Sequence, residues 1–229
     1  MAEIRTKDDD DDGLSAAIDN FLDGDDEWTR VDESKDWRED GPFDISEVDL
    51  DADEIQRLDF GALVVTPFVG MNLQLQVSNR DQSIQTLLVS YKGSALQVSL
   101  LAAPGNTNYV AETREAILAN SASNNAKVEV VTGPLGVEIR QQVPLTPPDG
   151  RTITQSARTW LVQGPRWMLR GVLIGAAGKD DGLGEPTEML YEFFCNLVVN
   201  RPGTPLAPGS IVPLTPPDGI LDQVKPEDK

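Results

Sequence analysis

From Leu63 onward the chain runs in short apolar stretches with strand or helix periods, whereas before residue 59 polar and acidic residues dominate. Leu63 to Phe68 is rich in β-formers, and Met71, Leu73, Leu75 and Val77 alternate with Asn72, Gln74 and Gln76, the period of a strand with one buried face. Ile84 to Tyr91, then Leu96, Val98 and Leu100, predict two more strands joined at Lys92-Gly93-Ser94, a tight-turn sequence. Tyr109 to Ala122 changes period: Val110, Thr113, Ile117 and Leu118 share one helical face, and Asn120 to Asn125 end it. Val128 and Val130, then Leu135, Val137 and Ile139 around Gly133-Pro134, predict a hairpin. Thr152 to Val162 and Arg166 to Ile174 are longer strands on either side of Gln163-Gly164-Pro165. After a Gly- and Asp-rich loop at Gly175 to Gly184, Thr187 to Phe194 fits neither period cleanly, and Leu197 to Val199 closes the series as a strand.

Strands in succession joined by short turns pair antiparallel, and one helix among many strands packs on a sheet face. The expected fold is α+β: a mainly antiparallel sheet of about seven to nine strands with one main helix on one face and the other face partly wet. Three parts are expected, a leader over 1–58, a domain over 59–200, and a Pro-rich tail over 201–229.

Charge sharpens that division. Residues 1–60 hold 23 Asp and Glu against 6 Lys and Arg, a net of −17 out of −19 for the whole chain. Such a segment buries too little apolar surface to offset its ordering entropy, so disorder is expected there. Leu14, Ile18 and Phe21 nevertheless recur at helical spacing, predicting a short amphipathic helix over 14–22 that would need a partner surface. Trp28 is a further apolar anchor among acids. The leader is read either as a solvated tail or as an arm that folds against a basic protein; its charge speaks against nucleic acid and anionic membranes. No apolar run approaches the ~18 residues of a membrane span. One cysteine, Cys195, allows no internal disulfide, and the default expectation is cytosolic.

Two motifs stand out. The octapeptide VPLTPPDG occurs at Val143 to Gly150 and again at Val212 to Gly219. It reads as two strand exits of the same geometry, or as a pair of preformed polyproline ligands. In Gly164-Pro165-Arg166-Trp167-Met168-Leu169-Arg170-Gly171, alternation puts Trp167 and Leu169 on one face and Arg166, Met168 and Arg170 on the other. The two arginines could grip one carboxylate or phosphate, or pair with Glu129, Glu138 or Glu192 on neighbouring strands.

The stretches RLDFGALVV (Arg57 to Val65), TGPLGVEI (Thr132 to Ile139), GPRWMLRGVLIG (Gly164 to Gly175) and LAPGSIVPL (Leu206 to Leu214), with GPFD at Gly41 to Asp44, resemble the actinobacterial family catalogued as domain of unknown function 3710. The resemblance covers roughly Gly41 to Pro217. It implies a bacterial cytosolic protein and carries no assigned reaction or site residue.

Chemistry is narrowed from the other side. With no histidine, Ser-His-Asp and Cys-His arrangements are excluded, and one cysteine cannot build a zinc or iron–sulfur site. Cys195, beside Phe193 and Phe194, reads as a buried, inert thiol. No Gly-rich phosphate loop occurs, and Asp49 to Asp53 lacks the Gly and Glu of a calcium loop. No cofactor or metal is therefore expected. The function expected is a non-enzymatic interaction module whose leader binds a basic partner or covers its own arginine-bearing face. The alternative is a domain that binds, or acts on, a small anion through Arg166 and Arg170. Partner-binding candidates are Arg166, Trp167, Arg170, Leu14, Ile18, Phe21 and Trp28; oligomeric state stays open.

Overall fold

The computed structural model of the chain describes residues 27–78, 82–105, 107–145, 153–201 and 203–217. Compact packing divides the chain at Asp36/Trp37. In the first unit, residues 27–33 are helical (α1) with Trp28 half-buried, and the helix expected over 14–22, with Leu14, Ile18 and Phe21, lies outside the described residues.

The second unit is α+β. Its elements run β1 (Phe43–Asp44), a 3₁₀ turn (Ile45–Glu47), β2 (Leu58–Asp59), β3 (Leu63–Val65), β4 (Asn72–Val77), β5 (Ile84–Tyr91), β6 (Ser94–Ala102) and α2 (Tyr109–Ser123). There follow β7 (Lys127–Gly133), β8 (Gly136–Leu145), β9 (Ile153–Gly164), β10 (Trp167–Gly175), α3 (Thr187–Cys195) and β11 (Val198–Val199). Seven strands make one antiparallel sheet in the order β4-β5-β6-β10-β9-β8-β7. A second, four-stranded sheet runs β1-β11-β3-β2, with β1 and β11 parallel.

Alternation sends the large sheet's apolar residues to two faces. Leu87, Val89, Leu96, Val98, Trp160, Trp167 and Leu169 meet α3 and the small sheet in the main core, where Leu190, Phe193 and Phe194 of α3 are buried. On the opposite face Ile139, Leu161 and Met168 meet Val110, Ile117 and Leu118 of α2. The helix is therefore on one face as expected, but the other face is dry. Thr187 to Phe194, ambiguous by period, folds as α3 because Leu190 and Phe194 fall one turn apart against Trp160, whose ring lies 5.7 Å from that of Phe194. The α2 face is also less apolar than its spacing predicts, since Arg114 and Ser121 are its buried residues and Thr113 is half-buried.

The boundaries differ from those expected at both ends. Residues 41–58 are not leader: Phe43, Asp44 and Leu58 pair into the small sheet, and the 3₁₀ turn Ile45–Glu47 follows Asp44. At Gly41, φ is +95°, and an added Cβ would sit 2.1 Å from the Cys195 carbonyl oxygen, so this close approach requires glycine. The segment after 201 is not only a tail. β5 pairs with β6 only as far as Leu87 and Val98, and residues 209–214 fill the gap beyond. Val212 N–H donates to Leu100 O at 2.8 Å, Leu214 N–H to Ile84 O at 2.9 Å, and both side chains are buried. The described parts of the two VPLTPPDG copies therefore differ in geometry: Val143 to Leu145 continue β8 against β9, while Val212 to Leu214 form this wedge, and residues 146–150 and 218–219 lie outside the described residues. Pro144 is tolerated in a strand because β7 already ends opposite Gln142, so its missing N–H costs no bond on that side.

Candidate ligand-binding face

β10 sends Trp167 and Leu169 into the main core and Met168 to the α2 face, and Arg170 shares the face of Met168. Directly opposite Arg170 stand Ser99 on β6 and Leu161 on β9. Ser99 Oγ lies 3.1 Å from Thr86 Oγ1, and Thr86 stands opposite Gln76 on β4. One row across four strands thus reads Gln76, Thr86, Ser99, Arg170, roughly 14 Å long at ~4.8 Å per strand. α2 packs on β7, β8 and β9, so Thr86, Gln97 and Ser99 stay half-buried rather than sealed beneath it.

Arg170 has no ion pair among the described residues, and its Nε is buried without a hydrogen-bond partner. Burial lowers its pKa from the ordinary arginine value. Thr159 on β9 stands opposite Val172, one diagonal step from Arg170 on the same face, and its Oγ1 is likewise buried and unpartnered.

The main-core face holds its arginines differently. Glu138 is fully buried and accepts from Arg158 Nε and Nη2, both at 2.9 Å, from Arg140 Nε at 2.8 Å, and from Trp160 Nε1 at 2.7 Å. Burial pushes this carboxyl up, but those hydrogen bonds outweigh it and hold the group below the usual carboxylate range. Arg158 Nη1 donates on to the carbonyls of Asp180 and Gly182 at 2.8 Å, and Arg140 Nη1 to Asp181 Oδ1 at 2.8 Å. The cluster pins the Gly175–Gly184 loop to the sheet. Glu138 is thus one of the acids expected beside an arginine, but the arginines are Arg158 and Arg140.

Arg166 and Arg170 do not converge. Arg166 precedes β10 in the turn with Pro165, at φ +61°, the left-handed position of such a turn. Its exposed side chain runs past Gly105, and its carbonyl accepts from Ala103 N–H at 3.1 Å and Arg201 Nη1 at 2.6 Å. Trp167 is fully buried and cannot touch a partner. Its ring covers Gly164, where an added Cβ would lie 2.2 Å from it, and its Nε1 donates to Asp44 Oδ2 at 2.8 Å. Arg38 stacks over the ring at 5.6 Å from its centroid and binds Glu47 through Nη2 at 2.6 Å. Asp44 is pushed up by burial, but hydrogen bonds from Ser46 and Trp167 hold it below its ordinary value. The GPFD and GPRW stretches, 123 positions apart, thus meet through Asp44 and Trp167. Cys195 is buried, and its thiol is pushed up to about 11, first by that burial. That keeps the thiol protonated at neutral pH.

A family model described as a protein of unknown function, DUF3710, matches residues 41–223. The chain belongs to DUF3710. The DUF3710 match begins at the glycine that packs on Cys195 and extends past the wedge, so it takes in both sheets. No curated protein matches the chain. Among solved structures, the PsbP of the cyanobacterium Synechocystis sp. PCC 6803 is similar at 10% identity and a TM-score of 0.37, over 63% of this chain and 91% of that one. A crystal structure from Bacteroides thetaiotaomicron is similar at 10% identity and a TM-score of 0.36, over 66% of this chain and 49% of that one.

Sequence reasoning missed Thr86, Ser99 and Thr159, and the pairing of Glu138 with Arg158. A signal existed for two of these, since Arg158 and Thr159 sit in the same strand directly before the apolar run Trp160-Leu161-Val162.

Proposed function

We propose that this DUF3710 chain is a non-enzymatic, cytosolic protein-interaction module that takes an extended, basic segment of a partner onto the outer edge of β4. The observation that carries this reading is that edge. β4 reads Asn-Leu-Gln-Leu-Gln-Val, with no charge and no proline, and among the described residues only β5 hydrogen-bonds it. Exposed edges in natural sheets are usually blocked by charge, proline or a covering element, because they template further strands. The opposite edge, β7, carries exposed Lys127 and Glu129; among the described residues, β4 is protected by no more than a register shift at Gln76/Val77. Leu73 and Leu75 are half-buried against the core, and Val69 just before the strand is 98% exposed, so an added strand would find both backbone partners and apolar cover. The net −17 of residues 1–60 supplies the preference for basic sequence and a faster encounter, with the salt dependence such steering carries.

Cross-linking with mass spectrometry on the full chain in native lysate tests the reading, comparing it with a Gln74→Lys/Gln76→Lys variant. Both side chains are exposed, so folding is retained while an edge charge is introduced. Partner cross-links that map to residues 69–78 and vanish in the variant support the reading. Cross-links that map elsewhere and persist in the variant overturn it.

A further inference from the structure

Two buried donors on the α2 face have nothing to donate to. Arg170 Nε and Thr159 Oγ1 are both shielded from solvent, both lack a hydrogen-bond partner, and stand at diagonal positions of neighbouring strands, ~7–8 Å apart at Cα. Beside them Ser99, directly opposite Arg170, shares its hydroxyl with Thr86 at 3.1 Å. Buried polar atoms without partners are uncommon in folded proteins, and one pattern that explains them is a missing ligand or ion. Here both orphan atoms are donors, or in threonine's case able to donate, so what is missing is an acceptor.

We propose that Arg170, Thr159 and Ser99 form a binding site for a carboxylate group. A guanidinium presents parallel N–H donors that match the two oxygens of a carboxylate, and a hydroxyl beside it, Thr159 on the β9 side or Ser99 on the β6 side, adds a single hydrogen bond to the same group. Charge selects among oxyanions. Arg170 is the one cation in the Gln76–Thr86–Ser99–Arg170 row, and it balances one negative charge. A phosphomonoester brings about −1.5 to −2 at pH 7 and would be left under-neutralised in a shielded site. The carboxylate comes either from a free small acid or from an acidic side chain of a peptide. This site does not depend on β4 pairing, since its donors lie on β6, β9 and β10.

The test is thermal unfolding and calorimetric titration of the full chain with acetate, with succinate, with a glutamate-containing neutral-ended peptide, and with inorganic phosphate. The expected result is a saturable rise in unfolding midpoint with at least one carboxylate, absent in Arg170→Met and weakened several-fold in Thr159→Val. Arg170→Met itself is expected to melt no lower than the wild type, because no native partner is lost. A response to acetate or succinate assigns the site to a free acid, and a response to the peptide alone assigns it to a protein side chain. The proposal is overturned if no carboxylate shifts the midpoint, if phosphate binds more tightly than every carboxylate, or if Arg170→Met keeps the response. Because Thr159→Val preserves shape and removes only the orphan hydroxyl, it tests the site even if Arg170→Met fails to fold.

Discussion

Each face of the seven-stranded sheet shields part or all of an arginine from water, and the two do so in opposite ways. On the main-core face Arg158 is 2% exposed and spends its donors on Glu138 and on the carbonyls of the Gly175–Gly184 loop. On the α2 face Arg170 is half-buried and has no acid beside it. The first arrangement ties β8, β9 and a loop together, because a buried charge is tolerated only when its counter-charge and hydrogen bonds are complete. The second leaves desolvation uncompensated inside the chain, and a group in that condition is available to an outside ion. Residue type is the same in both; the difference is whether a carboxylate stands at the matching cross-strand position.

That contrast can be broken most severely at the acid. Glu138→Ala removes the counter-charge of a buried guanidinium and is expected to destabilise by ~3–5 kcal/mol, read from urea unfolding at pH 7. Trp160→Phe keeps the apolar bulk next to Phe194 but leaves Glu138 Oε2 one donor short, an expected loss of ~1–3 kcal/mol on the same assay. Titration gives a milder form of the first change. Glu138 is held below its unfolded value of 4.5, so its contribution is present above that pH and is lost as the pH falls through the folded value. The stability gap between wild type and Glu138→Gln should therefore narrow as the pH falls below 4.5, and a constant gap would remove Glu138 from the account. At Arg170 the sign reverses: without ligand, Arg170→Met should be neutral or stabilising by up to ~1 kcal/mol. A loss of more than that would mean a native partner had been removed. Smallest of all, Arg140→Met should cost ~1 kcal/mol or less in its Asp181 arm, which is mostly solvent-exposed, with any larger loss tracing to its bond with Glu138.

Most strands could be read from the chain because their apolar residues alternate and their turns carry the residues that turn geometry demands. Lys92 and Gly93 both take positive φ, +43° and +73°, as the primed hairpin turn requires. The helix over 109–123 was visible for the same reason, through its period. What escaped were features that depend on residues far apart. The nine-residue α3 carries aromatic and aliphatic residues that suit a strand equally well, and packing against Trp160 selects the helix. Arg166 looked like a strand residue sharing a face with Arg170 because alternation extends backwards through a turn on paper, whereas Pro165 and a positive φ rotate it out of register. At the candidate site Arg170 was legible as a cation on the face opposite Trp167, but its neighbours Ser99 and Thr159 lie 71 and 11 positions away and carried no local sign of meeting it.

By itself the sequence determined the periods, the turns, the segregation of charge and the absence of imidazole, because each of these is a property of neighbouring residues. Only the tertiary structure decided which arginines found a carboxylate. Cross-strand register brings Arg158 diagonally to Glu138 and Arg170 to Ser99, and in a shielded interior that choice of neighbour separates a neutralised ion from an orphan one.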